Sequence, residues 1–251
     1  MSREQLNRHR KLWTEKPVLA EVYSVWFNML LEVAPATGRV VEVGSGPGLL
    51  SAEARRRRPG VRWIATDLLE VPWNDVVADG HVLPFRDGSA DAIVGLDVVH
   101  HLASPAAFFR ETARVLRPGG RLAVVEPWIS PFSFAIYRLF HQERCSLRLR
   151  DPWQPFADAG AAAKDAFEGD AAVLPALVRS TSPERWRELG LAPPEVRLLN
   201  AFAYILSLGF RDASLLPRRL AGTFIGLDER TSALGSLLAL RALAVWRRPQ
   251  G

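Results

Sequence analysis

Three glycines at alternate positions, Gly44, Gly46 and Gly48, follow directly on the short run Val40-Val41-Glu42-Val43, and Leu49-Leu50-Ser51-Ala52 comes next. The run reads as a buried strand and the segment after the glycines as the opening of a helix. Glycine lets the backbone turn through positive φ and lets a ligand approach without a Cβ in the way. A strand, a tight turn and a helix N-terminus together hold nucleotide-like cofactors. The spacing separates kinds of cofactor. A dinucleotide fingerprint is G-x-G-x-x-G, and its last glycine would fall on Leu49, whereas this chain reads E-x-G-x-G-x-G from Glu42. A second alternating run, Val61 to Thr66, ends in Asp67, 19 residues beyond Gly48. At that distance a carboxylate meets ribose hydroxyls, and its acceptor-only oxygens can take two hydroxyl protons together.

Four ordered elements bear on the same reading: the run into Asp67; Ala78-Asp79-Gly80-His81-Val82-Leu83-Pro84-Phe85; Asp91 to Leu102, with Asp97, His100 and His101 in its exit loop; and Phe108 to Leu122, where an apolar helix face is stopped by Pro118-Gly119 before the run Leu122-Ala123-Val124-Val125. With the glycine turn they resemble the class I S-adenosylmethionine-dependent methyltransferases, and the small-molecule "type 11"-like domain in particular, over about residues 38 to 128. The resemblance implies a Rossmann-like α/β fold with a seven-stranded, mostly parallel sheet flanked by helices. It implies S-adenosylmethionine as cofactor and S-adenosylhomocysteine as product. Its cofactor contacts would be Glu42, Gly44, Ser45, Gly46 and Gly48 at the turn, Asp67 and Leu68 at the ribose, Asp79 and Gly80 at the adenine, and Asp97 at the methionine end.

Methyl transfer needs nucleophile, methyl and sulfur in line, so positioning matters more than side-chain chemistry. A hydroxyl nucleophile also needs a base, usually histidine. His101, His141 and His100 are the candidates, with Glu143 beside His141. No metal site is legible, because the five histidines lack ligand spacing and there is one cysteine, Cys145. That cysteine count forbids an intrachain disulfide and suits a reducing cytoplasm.

The elements that must position these residues divide the chain. Residues 1–37 place Leu12, Trp13, Val18, Leu19, Val22, Tyr23, Trp26, Phe27, Leu30 and Leu31 at helical intervals, a helical lid ahead of a domain spanning 38–251. Two insertions enlarge that domain, one after the fifth strand (127–182) and one between the sixth and last strands (204–236). Within the first, 133–149 reads as helix, and Ser182-Pro183 starts another with an N-cap serine. Residues 196–202 read as the sixth strand and 240–246 as the last. Tyr23, Trp26, Trp128 and Tyr137 are the expected lining of the acceptor pocket.

With 251 residues, 48% hydrophobic and 24% charged, the chain fits one globular α/β domain. No apolar run approaches the ~18 residues of a spanning helix, and the N-terminus lacks a signal-peptide core. The net charge of +5 and a pI near 10.0 admit nucleic acid or an anionic membrane. Much of this charge is Arg55 to Arg58, which complements a helix C-terminus. The expected activity is methyl transfer to a hydrophobic small molecule or lipid-like metabolite, at oxygen, by a cytoplasmic enzyme with peripheral membrane contact admitted. The alternatives are an RNA or other nucleic-acid methyltransferase, disfavoured because Asp97-Val98-Val99-His100 replaces an Asn/Asp-Pro-Pro-Tyr motif, and a non-catalytic cofactor-binding scaffold. An oxidoreductase is disfavoured by the glycine spacing.

Overall fold

A computed structural model describes residues 2–140, 145–146, 149, 151–156 and 169–250. Helices α1 (Arg3–Glu15) and α2 (Pro17–Val33) come first. Ser2 and Gln5 form a capping box on α1, and Pro17 stands at the start of α2. The core then runs β1 (Gly38–Val43), α3 (Leu49–Arg57), β2 (Val61–Asp67), β3 (Val76–Val77), β4 (Ala90–Leu96), α4 (Pro105–Val115) and β5 (Leu116–Pro127). The first insertion supplies α5 (Pro131–Phe140) and α6 (Val173–Ser180), and α7 (Pro183–Glu188) follows it ahead of β6 (Glu195–Leu199). The second supplies α8 (Phe202–Ser207), α9 (Ala221–Arg230) and α10 (Gly235–Leu238), ahead of β7 (Arg241–Arg247).

The seven strands lie in the order β3-β2-β1-β4-β5-β7-β6, with β7 antiparallel to both neighbours. This is the expected seven-stranded, mostly parallel sheet. Both faces of its central strands are covered, and β1, β4 and β5 bury mostly apolar residues there. Val41, Val43, Ile93, Leu122 and Val124 face α4, α6 and α7, where Phe108, Phe109, Leu174 and Trp186 complete one core. Val40, Ala92, Val94, Ala123 and Val125 face α2, whose Tyr23, Trp26, Phe27, Leu30 and Leu31 fill the other. Strand order reverses between β1 and β4, so a ligand crevice is expected at their carboxyl ends.

Two boundaries differ from the sequence reading. β6 stops at Leu199 rather than residue 202, because Phe202 opens α8 and its amide, with that of Ala203, is accepted by the Asp228 carboxylate. The helix expected over 133–149 is described over Pro131–Phe140, and the rest of that span lies largely outside the described residues. Ser182 caps α7 as its spacing predicts, accepting from the amide of Arg185.

Candidate functional site

The glycine turn occupies that crevice. Gly44, Gly46 and Gly48 have φ of 66°, 51° and 70°, a region L side chains rarely adopt. A Cβ on Gly44 would come within 2.6 Å of Val98 Cγ2, and one on Gly48 within 2.4 Å of Trp73 Cδ1. The Ser45 amide donates to Thr66 O (2.9 Å), the Gly46 amide to Asp67 Oδ2 (2.8 Å) and the Gly48 amide to Ser45 O (2.8 Å). Pro47 has no N–H. Three of the turn's amides are therefore engaged within the protein, which leaves it poorly suited to cradle phosphate oxygens. A nucleoside without a pyrophosphate suits it.

Asp67, nearly buried at the end of β2, is gripped from both sides: Oδ2 takes the Gly46 amide and Oδ1 the Leu69 amide (3.0 Å). Each carboxylate oxygen keeps a further lone pair. Leu68, Val77 and Val82 leave apolar side chains exposed beside it, and Val77 pairs with Asp67 across β2 and β3. An acid held for hydroxyls next to an exposed apolar shelf fits a nucleoside. Asp79, half-exposed on the same edge, accepts both the His81 amide (2.9 Å) and His81 Nδ1 (2.6 Å). His81 Nε2 accepts the Ser104 amide at the start of α4, so the ring's proton is on Nδ1.

Helix α1 covers the turn. Arg10 donates to Pro47 O (2.7 Å) and stacks on Trp73, whose Nε1 donates to Gly46 O (2.8 Å); buried Leu6 lies where a Gly46 side chain would project. The helix is anchored at its far end by Lys16, whose ammonium donates to the carbonyls of Ser207, Gly209, Arg211 and Ala213. His9 stacks on Phe210 at 4.2 Å.

At the exit of β4, Asp97 has φ of 58° and pairs with the buried guanidinium of Arg241 on β7. Arg241 in turn lies against the rings of Trp26 (4.3 Å) and Tyr204 (5.2 Å). Buried Glu126 accepts the amides of Val98 (2.6 Å) and Val99 (2.7 Å) and faces His100 Nδ1 at 2.6 Å. Burial pushes this carboxyl up, but the His100 ring and the amides outweigh it and hold Glu126 below the ordinary carboxylate range. Asp97, His100 and Glu126 bring ligand-type atoms within 4.8 Å, a grouping the histidine spacing alone does not reveal. Their contacts mark it as the anchor of the exit loop.

Several expected site residues are buried or already engaged by other protein groups. The Glu42 carboxylate is buried and accepts from Trp63 Nε1 (2.6 Å), and burial raises its pKa to about 8. The Ser45 hydroxyl is engaged with Asn74 Oδ1 (2.7 Å). Trp128 belongs to the core on the far face of the sheet from α2, with Arg179 over its ring. Tyr137 is buried, its hydroxyl donating to Leu240 O (2.8 Å). Tyr23 packs among Trp13, Trp26, Phe27 and Tyr204. Trp26 lines a cavity together with Tyr204 and Asn200. His100 is buried against Glu126; the His101 ring is tilted against it at 4.1 Å and is half-buried; His141 lies outside the described residues. Burial pushes the Cys145 thiol up to about 11, which makes a nucleophilic role unfavourable.

Residues 41–124 match the family model described as "Methyltransferase domain". An "Uncharacterized methyltransferase" of Mycobacterium sp. (strain KMS) is 34% identical over 125 residues, covering 45% of this chain and 48% of that one. A "Ubiquinone biosynthesis O-methyltransferase" of Xanthomonas axonopodis pv. citri (strain 306) is 31% identical over 115 residues, covering 41% and 48%. The chain thus spans about half the length of the curated relatives it matches. The solved geranyl diphosphate C-methyltransferase from Streptomyces coelicolor A3(2) shares the fold, with a TM-score of 0.53 over 90% of this chain and 80% of that one at 17% identity. The part of the sheet built from residues 41–124 is thus similar to a methyltransferase domain.

Proposed function

We propose that this protein transfers the methyl group of S-adenosylmethionine to a hydrophobic small molecule or lipid-like metabolite, at an oxygen atom. The observation that carries this is the carboxylate of Asp67, held by two backbone amides beside an exposed apolar shelf at the switch point of the sheet. When bound, the cofactor supplies a sulfonium methyl open to in-line displacement. The chain's own residues bind and orient. Asp67 takes the ribose hydroxyls, while Leu68, Asp79 and Gly80 flank the base. Gly44, Gly46 and Gly48 let the main chain approach, and Asp97 stands at the methionine end, held in place by Arg241. Helix α1, through Leu6 and Arg10, excludes water from the turn.

An oxygen acceptor must lose its proton, and His101, in the turn that Glu126 anchors, is the proposed base, with His141 the second candidate. The name of the Xanthomonas relative, an O-methyltransferase, supports oxygen. An apolar, membrane-associated acceptor is supported by the exposed side chains Leu215, Leu220, Leu227 and Leu234 within the second insertion and Leu237 just after it. No described helix is long and apolar enough to cross a membrane.

The test is to incubate the protein with methyl-labelled cofactor and extract of its source cells, then partition the label. Label in organic-soluble material is expected. Label in RNA would transfer the reading to nucleic acid, and absence of both transfer and cofactor binding would overturn it.

A further inference from the structure

Arg241 opens β7, opposite Pro127 at the carboxyl end of β5 and Leu199 at that of β6. Its side chain is buried, and a guanidinium cannot shed its charge, so it needs an anion close by. That anion is Asp97, whose Oδ1 accepts from Arg241 Nη1. Trp26 of α2 and Tyr204 of α8 place their rings against the cation at 4.3 and 5.2 Å. All three tyrosines of the chain gather here from separate elements. Tyr137 of α5 donates to Leu240 O, next to Arg241, and Tyr23 of α2 meets both Trp26 and Tyr204 edge-on.

The pair is asymmetric, with the side chain of Arg241 6% exposed and that of Asp97 31%. Asp97 holds φ of 58°, a left-handed conformation that L residues leave unless their surroundings hold them there. Its amide donates to Val125 O (3.0 Å) and its Oδ1 accepts from Arg241, whereas Oδ2 has no hydrogen-bond partner among the described residues. The neighbouring Val98 packs on the glycine turn, its Cγ2 standing where a Gly44 side chain would project. A partly exposed carboxylate with one oxygen to spare thus stands beside that turn. An ammonium answers both the charge and the open lone pairs of such an oxygen.

We infer that Arg241 is a positioning residue that sets ligand selectivity at this end of the site. It holds Asp97 in its left-handed conformation, leaving Oδ2 for the ammonium of a nucleoside that bears an amino acid. Nucleosides without that ammonium are thereby disfavoured. Arg241 acts through Asp97 and touches no ligand itself. That the nucleoside is the methyl donor rests on the methyl-transfer reading. Arg241 lies in no sequence motif, and only the antiparallel course of β7 beside β5 brings it to the β4 exit.

Three probes share the nucleoside and its sulfur. S-adenosylhomocysteine carries the whole amino acid, its decarboxylated form keeps the ammonium alone, and methylthioadenosine has neither charge. Each is titrated calorimetrically into wild type, Asp97→Asn, Arg241→Lys, Arg241→Met and the double variant Asp97→Asn/Arg241→Met. Wild type should bind both ammonium-bearing probes more tightly than methylthioadenosine. Asp97→Asn should weaken those two by about tenfold and leave methylthioadenosine within about twofold, since a charged acceptor is lost. Arg241→Met should weaken the same two by about threefold to tenfold, and adding Asp97→Asn should bring no loss beyond that of Asp97→Asn alone, because both act through one carboxylate. Arg241→Lys, which keeps the charge, should restore part of the selectivity. Thermal melting checks folding, and Arg241→Lys carries the comparison where Arg241→Met melts early. Equal weakening of all three probes by the Arg241 variants, or losses that multiply in the double variant, would overturn this inference while leaving cofactor binding intact. So would an Asp97→Asn protein as selective as wild type. Binding of none of the probes by wild type would defeat the methyl-transfer reading and this inference with it.

Discussion

Glu126, at the end of β5, meets the imidazole of His100 at 2.6 Å while accepting the amides of Val98 and Val99. One carboxylate therefore ties the end of one central strand to the loop leaving its neighbour, directly behind Asp97. Removing a partner of a buried charged pair leaves the other uncompensated. Glu126→Gln should lower stability by about 3 kcal/mol at pH 7 in urea denaturation. The folded pKa of Glu126 lies below its ordinary 4.5. Its contribution is thus complete above pH 4.5 and lost as the pH falls through the lower folded value. The gap between variant and wild type should shrink on acidification; a gap independent of pH would show that the charge is not involved.

Glu42 has the opposite sign. Burial raises its pKa from 4.5 to about 8, with the Trp63 N–H opposing the shift. The folded state then binds more protons than the unfolded state between those values, and stability falls as pH rises through that window, by up to about 1.4 kcal/mol per unit. Glu42→Gln keeps an acceptor for Trp63 and removes the titration. It should match the wild type near pH 5 and exceed it near pH 8, as read by the denaturation midpoint.

The glycines should part by environment. Gly48→Ala places a methyl 2.4 Å from Trp73 Cδ1 at φ of 70°, which should cost about 1–3 kcal/mol and weaken cofactor binding. Gly226→Ala, in α9 with nothing within 4 Å of the new Cβ, should instead stabilise by about 0.5–1 kcal/mol. Thermal melts of the two variants provide the comparison.

Lys16 clamps α1 to residues 207–213 through four carbonyls. Lys16→Met leaves those acceptors without their donor, and each buried loss is of order 1 kcal/mol. Hydrogen exchange should accelerate across Arg3–Glu15 with the sheet unchanged. Because α1 covers the glycine turn through Leu6 and Arg10, cofactor affinity should fall as well. Unchanged exchange in α1 would show that the helix is held by other contacts.

The parts of the site legible in the sequence were local ones. The turn from Val43 to Leu49 and Asp67 at a strand end each depend on neighbours within a few residues. The helix expected to stop at Pro118-Gly119 instead ends at Val115, and those two residues lie in β5. What escaped were pairings across long separations: Arg10 with Pro47 and Trp73, Asp97 with Arg241, Lys16 with the 207–213 carbonyls. Glu126 carried a signal, since an acid closing the apolar run Leu122 to Val125 must be buried and so needs donors. Trp128 and Tyr137 were grouped for aromatic character, yet they belong to opposite faces of the sheet, which no periodicity beyond the end of β5 could reveal. Glu42 holds its place by motif position, and strand alternation alone does not show that Trp63, on the neighbouring strand opposite Val40, takes its carboxylate.

The central claim is that Asp67 and the glycine turn hold S-adenosylmethionine, and isothermal titration of that cofactor tests it most directly. Wild-type protein should bind one equivalent saturably, and Asp67→Ala should bind at least about tenfold more weakly, because two hydroxyl contacts to a charged acceptor are lost. Equal affinity in the two proteins, or no binding by the wild type, would contradict the account.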